Sequence, residues 1–225
     1  MFTWDSKADI QLKLERSSLR VQAKELLRDY IISGQIPPGT KLVERAVAEL
    51  LGTSRAPARD ALIDLEKEGL IVTKSNGRHV IDPTERDIQE LHQVRIVLET
   101  LAVELAAQNT SAQSAAHLTE TLEEMKQAVA ARNRSAFTES DVKTHWLIWQ
   151  QANNKHLLSI LKTMIGPIFM LVARHADHFD WGETLKLHEE LVAFINAGHA
   201  EGAKQSIKRH LDDALRRALK AFRGV

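Results

Sequence analysis

Residues 34–71 read GQIPPGTKLVERAVAELLGTSRAPARDALIDLEKEGLI. The stretch opens on a Gly-Pro turn that closes a helical run ending near Ile32. A short apolar-periodic segment follows, about Val43–Leu51, then Gly52-Thr53-Ser54, then a second periodic segment to about Glu68. Gly52 and Gly69 each stand just past such a segment, where a helix C-terminus favours glycine. Ser54 is a good N-cap residue, its hydroxyl able to accept an orphan backbone N–H. Pro57 falls in the first turn, where a missing N–H costs little. Two short helices joined by so tight a turn have helix-turn-helix spacing.

Working outward, residues 75–77 read SNG between two β-prone segments, Ile71–Thr73 and His79–Ile81. Asn-Gly in that setting is a strong hairpin signal. Helix, turn, helix, tight turn, helix and hairpin over residues 19–81 predict a winged helix-turn-helix. The third helix of such a unit, the one after the tight turn, presents its N-terminal end to base edges. Arg55 and Arg59 lie there, four residues apart and on one face. An arginine there can fork onto guanine or clamp a phosphate. Arg45 would stand close by, and the hairpin tip offers Lys74, Asn76, Gly77 and Arg78 as a wing on the DNA. Residues 1–80 hold 13 basic and 11 acidic residues, so this contact rests on a local basic edge rather than a basic domain.

Across all 225 residues the charges cancel, 30 basic against 30 acidic, and 44% of residues are hydrophobic. That suits one large or two modest globular domains and argues against disorder. The absence of cysteine excludes a disulfide framework, a thiolate metal site and cysteine catalysis. It fits a cytoplasmic location. No apolar run is long enough to span a membrane, and MFTWDSKADI lacks the pattern of a signal peptide. Asp82-Pro83 breaks the pattern after the hairpin. The boundaries expected are therefore an arm at 1–18, a winged helix at 19–82 and a second domain at 83–225. Nine of the ten histidines follow residue 81.

From Glu85 the pattern is helical with few breaks. Leu91, Val94, Leu98, Leu101 and Leu105 recur at three- and four-residue spacing, and further stretches cover about 118–129, 134–151, 155–178, 182–197 and 200–222. This predicts an all-α bundle of about six helices. Asp141 and His145 share a helix face, His188 lies in the next-to-last helix and His210 in the last. An aspartate with three histidines can hold a borderline divalent cation. Spacing alone leaves a rival pair open, His175 and His178 flanking Asp177.

The N-terminal run resembles the DNA-binding domain of GntR-type bacterial transcription regulators, through Gly34 with Pro38-Gly39, Gly52, Ser54-Arg55, Arg59 and Glu68-Gly69-Leu70. That resemblance implies operator contacts from Arg45, Ser54, Arg55, Arg59 and Gly77. The chain departs from the family pattern at Val47, Ala56, Ala58 and Asp60. The stretch DVKTHWLIWQQANNKHL, with LHEELVAFINAGHAEGA and IKRHLDDAL, resembles the FCD effector domain of the FadR branch, and VRIVLE resembles that domain's first helix. By resemblance Asp141, His145, His188 and His210 fall on the four metal-ligand positions. The six-helix count is similar to the VanR subgroup. Zinc is the first candidate, with nickel, manganese and cobalt also able to accept such ligands.

The resemblance further implies a homodimer on a near-palindromic double-stranded DNA operator, repression, and a small organic acid as effector. Arg95 and Arg174 are the candidates to pair that acid's carboxylate. The competing readings are a metal that only staples a dimerisation module and a metal-dependent hydrolase. No nucleophile elbow or phosphate loop supports the last of these, so no enzyme is expected.

Overall fold

The computed structural model describes residues 15–164, 166 and 181–223. The N-terminal unit runs α1 (Glu15–Ile32), β1 (Lys41–Leu42), α2 (Glu44–Leu50), α3 (Arg55–Lys67), β2 (Ile71–Lys74) and β3 (Gly77–Val80). The three strands form an antiparallel sheet in the order β1-β3-β2, with Leu42 opposite Arg78 and Ile71 opposite Val80. The expected hairpin is β2–β3. Strand β1 is an addition, since two residues are too few to show periodicity. Leu27 and Ile31 of α1, Val47 and Ala48 of α2, and Ala58, Leu62 and Leu65 of α3 close the core with Leu70, Ile71 and Val80. Gly52, at φ 60°, makes the turn between α2 and α3, in the left-handed region that side chains avoid.

Cations on α1 brace α3. Arg20 pairs with Asp64, while Lys24 and Arg28 both pair with Glu68. These partly exposed pairs fix orientation more than they add stability.

The second unit runs α4 (Glu85–Gln108), α5 (Ala112–Ala130), α6 (Arg134–Gln151), α7 (Lys155–Lys162), α8 (Trp181–Asn196) and α9 (Ala200–Arg223). Thr84 and Asp87 start α4 with a reciprocal capping box just after Asp82-Pro83. Asn133 and Asn154 cap α6 and α7 with their side chains. Helix α9 packs along α4, and its end is pinned by Arg223 on Glu85. Ala102, Val103 and Ala106 of α4 meet Leu118 and Met125 of α5, Ile148 and Trp149 of α6, Leu191 and Ile195 of α8, and Ile207 and Leu211 of α9. Each large side chain buried here is worth about 1.5–3 kcal/mol. The continuous helix expected over 155–178 is not present. It stops at Lys162, Thr163 and Met164 turn, and Gly166 is helical again. The apolar period runs through this turn, so periodicity alone could not see the break.

Gly166 is also where the two units touch closely. Its N–H donates to the carbonyl of Glu68, the C-cap of α3, at 2.8 Å. A Cβ on Gly166 would lie 2.2 Å from that oxygen and 2.6 Å from the amide nitrogen of Leu70. Only glycine fits. Gly166→Ala is therefore expected to open this contact. Amide exchange at residues 68–70 and at 166 should rise about tenfold, the worth of one hydrogen bond, while α4 and α9 keep their protection. Hydrogen-exchange mass spectrometry of the full chain checks it, and unchanged exchange at both segments would remove the contact from the account.

Candidate functional site

Helix α6 presents Asp141 and His145 one turn apart, α8 adds His188 and α9 adds His210. All four side chains are buried. One ligand atom from each lies within 4.8 Å of all the others. Nε2 of His145 is 3.1 Å from Nε2 of His210, and Nε2 of His188 is 2.8 Å from Oδ1 of Asp141. The sequence-derived set thus converges on one point. The rival residues His175, Asp177 and His178, and the effector candidate Arg174, lie outside the described residues.

The histidine partners decide what this point can hold. Nδ1 of His188 is 2.9 Å from the Thr184 carbonyl, which can only accept, so Nδ1 carries a proton. In the neutral ring Nε2 is then a bare lone pair, aimed at a carboxylate oxygen 2.8 Å away. Both atoms are buried without a hydrogen-bond partner among the described residues. Two facing acceptors in a dry core repel unless a cation lies between them, a proton on the ring or a metal ion. Imidazole and carboxylate are the donors a borderline divalent cation takes. The residues present therefore fit a divalent metal.

Glu99 of α4, which the sequence reading passed over, is 1% exposed beside this cluster. One of its oxygens accepts from Nε of Arg95 at 2.7 Å. The other accepts from Nδ1 of His145 at 2.9 Å and from Nε1 of Trp149 at 3.4 Å. Arg95, itself buried, is held beside the cluster through Glu99. Its terminal nitrogens make no hydrogen bond among the described residues.

Burial alone would raise the Glu99 carboxyl, but Arg95 and His145 beside it hold it far below the usual carboxylate range. Burial likewise opposes Asp141, and the neighbouring His188 outweighs it, so its carboxyl is also held low. Burial works against a charged His145, yet the Glu99 carboxylate outweighs it and raises that ring. His210 goes the other way. Burial first, then the adjacent rings of His188 and His145, push it well below its ordinary value.

In the winged unit, Ser54 stands at the N-cap of α3, but its hydroxyl makes no capping bond, contrary to expectation. It faces solvent at the head of the helix. Arg55 and Arg59 are exposed on the same end, and Arg45 of α2 is also exposed, more so than Arg59. Asn76 is exposed at the hairpin turn beside Gly77, which has φ 120°. Arg78 differs. Its guanidinium points inward, 3.2 Å from Glu44 and 3.3 Å from Glu66. The buried His79 meets the Gly77 carbonyl through Nδ1 at 2.9 Å, tying down the turn.

Comparison with known proteins gives two domain matches. The pattern described as "Bacterial regulatory proteins, gntR family" matches residues 19–81, and that described as "FCD domain" matches residues 90–213. The gluconate operon transcriptional repressor of Bacillus licheniformis is 30% identical over 89% of this chain and 85% of its own length. A crystal structure of a GntR-type transcriptional regulator from Rhodococcus sp. RHA1 matches with a TM-score of 0.73 and 25% identity, over 90% of this chain and 98% of that one. Escherichia coli McbR/YncC shares the fold with a TM-score of 0.77 at 22% identity, over 90% and 97%.

The opposite shifts of two histidines set a pH dependence for protein kept in chelator. His145, with a raised folded value, stabilises fully below its unfolded value of about 6.5 and loses that contribution as pH rises through its folded value. His210, with a depressed folded value, does the reverse and loses its contribution as pH falls below about 6.5. Together they place a stability maximum near pH 6.5. Urea midpoints at pH 5, 6.5 and 8 check this, and His210→Asn should flatten the acid side only.

Proposed function

Because the chain belongs to the GntR family of bacterial regulatory proteins and carries an FCD domain, we propose that it is a repressor whose hold on DNA is set by a small organic acid bound at a metal in the helical domain. The family relationship makes it a DNA-binding transcription regulator. The observation that carries the finer reading is the confrontation of His188 Nε2 and Asp141 Oδ1 in a buried cluster of four ligand residues.

In this reading Asp141, His145, His188 and His210 hold a divalent transition metal, zinc first among the candidates. When bound, the metal offers Lewis-acid coordination positions to an oxygen ligand. Arg95 supplies the second point of recognition, since its terminal nitrogens suit a carboxylate. The relative named for the gluconate operon supports an acid of the sugar-acid kind.

The DNA end uses Arg55 and Arg59 at the head of α3, Arg45 from α2, the Ser54 hydroxyl, and Asn76 and Gly77 at the wing tip. Arg78 acts from behind, bracing the wing through Glu44 and Glu66. A second copy of the chain covers the outer stripe of α4, where Val94, Val97 and Leu101 repeat at i, i+3 and i+7 and stand 48%, 68% and 41% exposed. A two-fold dimer of this kind reads a near-palindromic duplex. The division into a winged helix at 19–82 and an effector domain at 83–225 follows the Asp82-Pro83 break and the capping box at Thr84, while the arm expected at 1–18 would overlap the first turn of α1, which starts at Glu15. The Glu68–Gly166 bond gives the effector domain a direct grip on the end of α3. A regulator of bacterial transcription works in the cytoplasm, and no described helix is long and apolar enough to cross a membrane.

Two experiments test this. Operators selected from a random duplex library should bind wild type, and Arg59→Ala should weaken that binding about ten- to hundredfold with the fold unchanged. Equal affinity at physiological salt would refute the DNA assignment. A thermal-shift screen of sugar, hydroxy and keto acids should give hits on metal-loaded protein that vanish on chelation. Stabilisation by metal with no acid response would reduce the metal to a staple.

A further inference from the structure

Glu99 is buried, ionised and absent from the ligand set, and it touches two groups that the proposed site uses. Its placement asks for a reason, because a buried carboxylate is costly unless several donors meet it. Three donors do: Arg95 Nε on one oxygen, His145 Nδ1 and Trp149 Nε1 on the other. Alternative duties fail on geometry. Glu99 is not among the residues whose ligand atoms converge, and at 1% exposure it meets no solvent or partner.

We infer that Glu99 is the positioning residue of the centre: it holds His145 with Nε2 toward the metal position and, through its other oxygen, fixes Arg95 in register with that position. The inference rests on the metal reading above. The physical content lies in the two oxygens. A carboxylate accepts on both ends, so it orients an imidazole and a guanidinium at once. An amide accepts on one end only and would turn its NH2 against one of the two donors. With Nδ1–H given to Glu99, the His145 ring has one tautomer and one ring orientation available, and its Nε2 becomes a stronger donor. His188 receives the weaker version of this support, from the Thr184 carbonyl, and Nδ1 of His210 has no partner among the described residues. The three histidines are thus graded, with His145 the best-anchored ligand.

Arg95 has a second role in the arrangement. Its charge offsets Glu99, so the pair adds direction without adding net charge to a core that must also accept a divalent ion. The pair is i, i+4 on α4, on the same helix that carries the exposed Val94, Val97 and Leu101 stripe.

The test uses the full chain and cobalt(II) alone, with no organic acid. Cobalt affinity is measured by competition with a chromophoric chelator, and the visible ligand-field spectrum reports the donor set. Three proteins are compared with wild type: His188→Ala, Glu99→Gln, and Arg95→Met/Glu99→Gln. The double variant leaves no lone buried charge and keeps the test valid if the single one folds poorly. Far-UV circular dichroism in chelator checks the fold of each. We expect Glu99→Gln and the double variant to bind cobalt about ten- to a hundredfold more weakly and to show shifted bands, because the His145 ring is no longer held. If wild type shows no cobalt site that His188→Ala removes, the metal reading itself is wrong. If it does, and either Glu99 variant folds yet binds within threefold of wild type with the same spectrum, Glu99 is a structural carboxylate only and the inference is overturned.

Discussion

Nε2 of His188 and a carboxylate oxygen of Asp141 face each other across 2.8 Å inside a packed helical core, an approach that holds only with a cation, a proton or a metal ion, between them. The groups around them hold both side chains in that approach. Thr184 fixes the proton of His188 on the far side of its ring, Glu99 does the same for His145, and α9 brings His210 against both. A core built only for stability would fill this space with leucines, as the rest of the bundle does. Replacing buried charge by apolar side chains commonly stabilises a protein, so a retained polar centre calls for a ligand to justify it.

The helix that carries Asp141 and His145 begins beside the winged unit, where Arg134, Ser135, Thr138 and Glu139 face Glu25, Arg28, Asp29 and Ile32 of α1 across a cleft. Helix α1 in turn grips α3 through Arg20, Lys24 and Arg28. Glu68 joins both routes, since its carboxylate takes the α1 cations and its carbonyl takes the Gly166 amide. The C-terminal end of α3, the helix proposed to read DNA, is thereby clamped from two sides. A change in the packing of the bundle has a short mechanical path to it, made, among the described residues, of ion pairs and one backbone bond.

How much of this could be read from the chain depended on whether a signal was local. The Gly52 turn, the Asn-Gly hairpin and the apolar spacing of α4 to α6 are local, and the elements formed where they pointed. Asp141 and His145 are one helical turn apart and visible as a pair. His188 and His210 carry no such mark, and only the resemblance to known effector domains singled them out from ten histidines. Glu99 was hidden in plain view, four residues after Arg95 in a quoted motif, because a buried acceptor and a surface salt bridge look alike in sequence. The inward turn of Arg78 was invisible for the same reason: its partners Glu44 and Glu66 come from other elements. Ser54 shows the opposite error, a residue with the right chemistry for a cap that leaves the bond unmade.

The inward pairing of Arg78 bears on how the regulator finds its target. A protein that neutralises many phosphates binds any duplex tightly and is spread over the whole chromosome. Here one wing cation is spent on Glu44 and Glu66, and α1 cations are spent on Asp64 and Glu68. In the proposed docking the cations left for the phosphates are the exposed Arg55 and Arg59 at the head of α3, Arg45 of α2 and Lys74 of the wing. With so few cations engaged, that interface would release few counterions on random sequence, and the bulk genome would compete weakly for each molecule. Discrimination would then come from keeping the general attraction low, so that a few base-edge contacts decide where the protein stays.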